Sequence, residues 1–161
     1  GQGATTSERM MEIMRDSRLG TFGAAALFVA LSLKVAALAA IPHLLVLAAL
    51  PVAHGLSRLS AVVVIANSTY ARPEGIAKPV AAGVTRSALI VAALTGVAAL
   101  VAFGFFAGIE AIVCAFIGLC MGHLATRLLF ERKLGGYTGD CLGAVQQLSE
   151  IGFYLGLLAW L

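Results

Sequence analysis

Apolar residues run in long blocks along this chain, and polar residues gather between them. The blocks cover about Gly20 to Ile41, His43 to Ser68, Val84 to Phe106, Glu110 to Phe130 and Cys141 to Leu161. Each is near the length that an α-helix needs to cross the hydrocarbon core of a bilayer, roughly 20 residues. They are Ala/Leu/Val runs without strict alternation, so helices are predicted in place of transmembrane strands. The pattern predicts an all-α, polytopic membrane helical bundle with about five transmembrane helices. No internal repeat or low-complexity linker divides it, so residues 1–161 read as a single membrane domain.

The polar segments give the bundle a direction. Arg9, Arg15 and Arg18 lie before the first block, Arg72, Lys78 and Arg86 in "TYARPEGIAKPVAAGVTR", and Arg132 and Lys133 in "ERKLGGYTGD". The other two connections, "AIPH" and "AGIE", carry no Lys or Arg. Alternating spans put the three basic segments on one side, which the positive-inside rule makes the cytoplasm. The opening segment reads as an amphipathic N-terminal helix. Thr5 and Glu8 have capping-box spacing, Met10, Met11, Ile13 and Met14 offer an apolar side, and Glu8, Glu12 and Asp16 form an acidic stripe. It has no signal-peptide pattern. A first residue of Gly in place of Met is expected of a processed chain or of a fragment of a longer gene product.

Composition agrees. The chain is 60% hydrophobic and 12% charged, with a mean hydropathy of +0.97, whereas soluble domains carry about 25% charge. The net charge of +3 reads as topology. No basic run is interleaved with aromatics, so nucleic acid is not expected as a partner. Cys114, Cys120 and Cys141 lie in no CxxC or zinc-type spacing and read as small packing residues. "FIGLCMG" and "GDCLGA" place small residues where helices can approach closely. Pro51 is expected to kink the second span.

Five ionisable residues fall at membrane depth: Lys34, Arg58, His123, Arg127 and Glu150. Such residues face a bundle interior or a watery cavity as a rule. Lys34 is placed either to snorkel outward or to turn inward. Arg58 lies about 15 Å short of the cytoplasmic end of its span, which predicts an inward-facing role. His123, Arg127 and Glu131 share one helix face, as an Arg127–Glu131 ion pair or as a cationic wall of a cavity. Asp140, beside Gly139, reads as an N-cap or as a Mg²⁺ ligand, and Gln147, Glu150 and Tyr154 keep a loose stripe with it. Guanidinium forks match phosphate oxygens, and carboxylate-held Mg²⁺ bridges phosphates. The residues therefore point to a site for a phosphorylated substrate at the cytoplasmic membrane face.

"EIMRDSRLGTFG", "YARPEG" and "LGGYTGDCLGA", in this order on this hydropathy profile, resemble the cobalamin synthase (adenosylcobinamide-GDP ribazoletransferase) family over essentially the whole chain. The resemblance implies a multi-pass enzyme of the prokaryotic cytoplasmic (inner) membrane, its active face cytoplasmic. It implies that adenosylcobinamide-GDP reacts with α-ribazole or its 5′-phosphate, with Mg²⁺, to release GMP. It implies Asp16 and Asp140 as metal or general-base groups. Arg15, Arg18 and Arg72 are implied as phosphate clamps, with Arg127, Thr138 and Gly139 beside them. Glu74 also matches the second motif. Family members carry an acidic stretch upstream of the first motif, and none precedes "GQGATTSER" here. The resemblance therefore implies that the main metal site needs residues beyond these. Lipid is the expected environment, and homo-oligomer formation is left open. The alternatives are another membrane phosphotransferase, whose Asp-rich CDP-alcohol motif is absent, and a non-catalytic small transporter or scaffold.

Overall fold

A computed structural model describes Met10, residues 20–71 and residues 84–161 of the chain. Five helices follow one another: α1 (Thr21–Ala40), α2 (His43–Asn67), α3 (Arg86–Ala107), α4 (Ile109–Leu134) and α5 (Gly139–Trp160). Each expected block is a helix, with ends displaced by a few residues. The largest displacement is in α4, which carries Glu131 to Leu134 as a further turn. The described residues contain no strand, only an isolated parallel bridge between Tyr70 and Tyr137. The expected N-terminal amphipathic helix lies outside the described residues, apart from Met10.

The helix ends follow from local chemistry. Pro42 is incompatible with continuing α1 and stands immediately before α2. Gly108, at φ 92°, closes α3 and opens α4, a backbone conformation that side chains with a Cβ avoid. Gly135, at φ 70°, ends α4 in the left-handed conformation common after helix C-termini. Thr85 caps α3 by accepting from the Ala88 N–H at 3.2 Å. α2 runs on through Pro51.

Four of the helices, α1 to α4, are long and apolar enough to cross a membrane. α5 is as long as α3 but carries Asp140, Gln146, Gln147 and Glu150. It lies inside the bundle, with Val145, Ser149, Glu150, Phe153, Tyr154 and Leu157 buried, and packs against α4, α2 and α1. α1 and α3 each bury one residue, Ala37 and Phe103. Their outward faces are large and apolar, Phe22 and Phe105 being over nine-tenths exposed, a surface that lipid solvates.

α4 and α5 approach until backbone meets backbone. A Cβ at Gly118 would lie 2.1 Å from the Gly152 carbonyl oxygen, and one at Gly156 would lie 2.1 Å from that of Cys114. Gly122 and Gly152 are as tightly placed. The "FIGLCMG" glycines therefore serve as expected. In "GDCLGA" Gly143 does not, because a Cβ there would meet nothing within 4 Å. The partner stripe in α5 is Gly152 and Gly156. The three cysteines are free thiols, Cys141 buried and the others half-buried.

The close contact gives a test in detergent-solubilised protein. Gly118→Ala or Gly152→Ala forces α4 and α5 apart and should lower the unfolding temperature, at about 1–3 kcal/mol each. Gly143→Ala meets open space and should be neutral or stabilising by up to about 1 kcal/mol, the helix-propensity gain. Equal effects at Gly118 and Gly143 would contradict the packing.

Candidate functional site

At one end of the bundle the segment that leaves α2 pairs with the turn between α4 and α5. The Tyr137 N–H donates to the Thr69 carbonyl and the Ala71 N–H donates to the Tyr137 carbonyl, both at 2.9 Å. Gly136 is needed between them, since a Cβ there would lie 2.3 Å from the Thr69 oxygen. The Tyr70 and Tyr137 rings meet edge to face, 5.4 Å between centroids. Tyr137 is buried among Val64, Phe130, Leu134, Cys141 and Val145, with Met10 packed against the same cluster. Burial, and then the neighbouring Tyr70, push the Tyr137 phenol above its ordinary pKa. This clamp brings the start of "YARPEG" against the middle of "LGGYTGDCLGA". Arg15, Asp16, Arg18, Arg72 and Glu74, expected to contribute to the site, lie outside the described residues.

Beside the clamp, Arg127 Nε donates to Glu131 Oε1 at 2.8 Å, and the Ser68 hydroxyl donates to the same oxygen. Of the two readings of this helix face, the ion pair is therefore the one formed, and the Arg127 charge is balanced one turn away. A cleft of about 420 Å³ opens here, lined by Asn67, Ser68, Thr69, Glu131, Gly135 and Gly136.

The start of α5 differs from expectation. Its cap is Thr138, not Asp140. Thr138 has the extended backbone of a capping residue, and its hydroxyl accepts from the Cys141 N–H at 3.4 Å and donates to Cys141 Sγ at 3.3 Å. The side chain is fully buried, so this hydroxyl serves the helix and is not presented at the surface. Gly139 and Asp140 follow in the first turn, both exposed. A carboxylate there is favoured by the helix dipole.

A second polar tier lies deeper. Lys34 Nζ on α1 is 2.9 Å from Glu150 Oε2 on α5, and the Tyr154 hydroxyl donates to Glu150 Oε1 at 3.0 Å. Lys34 also reaches Gln147 Oε1 at 3.4 Å. Lys34 thus turns inward, and both oxygens of the buried Glu150 are satisfied. Next to this network, Ser60 on α2 bonds His123 Nδ1 on α4 at 2.6 Å and Ser149 on α5 at 3.0 Å. Sequence reasoning passed over both serines. Their signal was a hydroxyl inside an otherwise apolar run. Arg58 departs from expectation too. It is exposed at the edge of α2 toward α3, away from α5, and donates from Nε to His54 Nε2 at 2.9 Å.

Among the described residues no group of three or more His, Cys, Asp or Glu side chains is placed to hold a metal ion. Glu131 already accepts two hydrogen bonds on one oxygen, so these residues do not form a magnesium cage by themselves.

Comparison with known proteins gives this architecture a family. Residues 1–158 match the model of the cobalamin-5-phosphate synthase family. The chain belongs to that family. A relative from Ralstonia pickettii (strain 12J), named adenosylcobinamide-GDP ribazoletransferase, is 41% identical over 161 residues, which is 99% of this chain and 61% of the relative. A protein of the same name from Vibrio cholerae serotype O1 (strain ATCC 39315 / El Tor Inaba N16961) is 40% identical over 169 residues, 99% of this chain and 60% of the relative. The chain therefore spans about three-fifths of the length of the curated relatives it matches. No solved structure matches. Within this family member, the clamp and the first turn of α5 carry the "YARPEG" and "LGGYTGDCLGA" segments to one end of the bundle.

The deeper tier is testable through stability. Lys34→Met leaves the Glu150 carboxylate buried without its counter-charge and should cost about 3–5 kcal/mol. Adding Glu150→Gln should recover most of the loss. Thermal unfolding in detergent micelles reads both, and a Lys34→Met protein with the parent transition would show that the pair does not hold α1.

Proposed function

We propose that this chain is part of a membrane enzyme of the last step of cobalamin assembly. The enzyme joins the adenosylcobinamide phosphate of adenosylcobinamide-GDP to α-ribazole, or to its 5′-phosphate, and releases GMP. The observation that carries this reading is the Tyr70–Tyr137 clamp, which sets two motif segments beside the first turn of α5 in a chain of this family.

The reaction is a substitution at phosphorus. A ribose hydroxyl oxygen of α-ribazole bonds to the phosphorus that carries the cobinamide. The bond from that phosphorus to the bridging oxygen breaks, and GMP leaves with the electron pair. The hydroxyl proton passes to a carboxylate, for which Asp140 and Asp16 are the candidates. Catalysis of this kind rests on positioning and on neutralising charge on the phosphate oxygens. Arg15, Arg18 and Arg72 supply guanidinium forks for those oxygens. Gly139 leaves the backbone at the start of α5 open to an anion, where N–H groups and dipole favour negative charge. Arg127 stands at the same end, oriented by Glu131. Thr138 acts through its cap, holding the turn that presents Asp140.

Asp140 and Asp16, with carboxylates from the rest of the full-length protein, are the residues we assign to Mg²⁺. The ion would neutralise phosphate charge there. Arg132 and Lys133, in the last turn of α4, stand at this end of the bundle, so by the positive-inside rule the site faces the cytoplasm in this reading.

The test uses the full-length gene product in proteoliposomes with adenosylcobinamide-GDP, α-ribazole and Mg²⁺, measuring GMP release. Asp140→Asn should slow release by about 10²-fold or more, the range for loss of a general base or of an electrostatic group. Removing divalent cations with EDTA should stop it. No GMP release by the parent protein would overturn the reading, and an Asp140→Asn protein at the parent rate would remove Asp140 from the chemistry.

A further inference from the structure

Arg58 is the deep cation that has no anionic partner among the described residues. Lys34 has Glu150 at 2.9 Å and Arg127 has Glu131 at 2.8 Å. Among the described residues, Arg58 is bonded only to the imidazole of His54, through Nε. An arginine keeps its proton in any protein setting, so burial cannot neutralise it. His54 Nε2 accepts from the guanidinium. The two terminal nitrogens of Arg58 keep their N–H groups for something else.

Snorkelling does not resolve this. Arg58 stands nine residues before Asn67, the last residue of α2, which is about 14 Å along the axis, and about 22 Å from the other end. Side chains on a helix lean toward its N-terminus. Arg58 does so, toward His54, one turn further from the polar end of the bundle. It is exposed there on a helix that crosses the membrane, in a position that lipid does not tolerate for a charge. Beside it runs a cleft of about 310 Å³ between α2 and α3, bordered by Gly55, Val62, Thr95, Gly96 and Ala99. Arg58 itself lines this cleft, and Gly55 on α2 with Ala92 and Ala99 on α3 leaves room for another helix, whereas Gly96 is already packed by Leu56 and Leu59 of α2.

We infer that the His54–Arg58 face of α2, with the adjoining cleft against α3, receives a further membrane helix that brings a carboxylate to the depth of Arg58. Its source is the full-length protein itself, from the roughly two-fifths of the relatives' length that these 161 residues do not span. The carboxylate meets the terminal nitrogens in a two-pronged pair. His54 holds the guanidinium from behind and fixes its plane. The same helix covers the cleft and removes the exposed charge from lipid.

Two measurements on the full-length protein in membranes test this. The photo-cross-linking residue p-benzoylphenylalanine, placed at exposed Thr95, should attach within one chain to a helix outside residues 1–161. The attachment point, mapped by mass spectrometry, should lie within a turn of an Asp or Glu. Adducts with lipid alone, with residues 20–161, or with a second copy of the chain would each overturn the proposal. Independently, Arg58→Leu should lower the unfolding temperature by roughly 5–15 °C, since one charge of a buried pair is left alone. Replacing the mapped carboxylate by Leu in the same protein should restore most of the loss. An Arg58→Leu protein as stable as the parent, or more stable, would show that Arg58 faces lipid.

Discussion

A helix with a carboxylate at its midpoint cannot face lipid, and α5 is that helix. Glu150 lies near its middle and is buried, with Lys34 on one oxygen and Tyr154 on the other. The placement of the remaining elements follows. α5 must be surrounded, so α4 closes on it through glycine backbones and α2 covers it on another side. α1, almost wholly exposed, gains its specific contact to α5 through Lys34. Whether the pair adds net stability over apolar residues of the same shape is a separate matter. Its effect on specificity is clearer. Uniformly apolar helices slide and rotate against each other at small cost, while an ion pair and a histidine–serine–serine chain (His123, Ser60, Ser149) fix their register.

That register reaches the end of the bundle. α4 and α5 are held backbone to backbone, so the turn between them has little freedom. The turn presents Tyr137 to the segment leaving α2, and two hydrogen bonds and a ring contact lock them. Residues far apart in the chain thereby come to share one surface. A substitution at phosphorus needs such an arrangement, because its catalysis comes from the placement of charge and less from a reactive side chain. In the proposed reaction a stiff scaffold with polar groups at one rim is a fitting device. In that proposal the described residues supply part of the charge, and no metal-holding group is found among them.

The number of helices and their limits were legible because length and apolarity alone set them. The partners of the buried charges were not. The helices are apolar nearly all round, so periodicity could not say which face of α1 or α2 turned inward. Lys34 and Arg58 are both lone cations in apolar runs. The sequence leaves Lys34 open and predicts that Arg58 faces inward, yet Lys34 turns in to Glu150 and Arg58 is exposed. The cap of α5 was missed for a different reason. Asp140 reads as the cap in sequence, and Thr138, an equally good capping type, was passed over. The backbone decided, with Thr138 extended and Asp140 already helical. The close glycine contact was half legible: "FIGLCMG" was marked, but its partners in α5 needed the register.

The two outer helices show what apolarity leaves undetermined. α1 and α3 both expose large side chains that suit lipid, and both would equally suit another helix. Hydrophobicity does not separate these cases, because lipid tails and leucine side chains solvate a helix alike. Charge does separate them. On the α2 surface facing α3, a guanidinium that cannot lose its proton marks a place where lipid is the wrong neighbour. On the outer face of α1, whose deep lysine is already turned inward to Glu150, no such mark is present among the described residues. The bundle therefore has one flank whose chemistry accepts lipid and one whose chemistry requires an anion, and that asymmetry orients it relative to the rest of its protein.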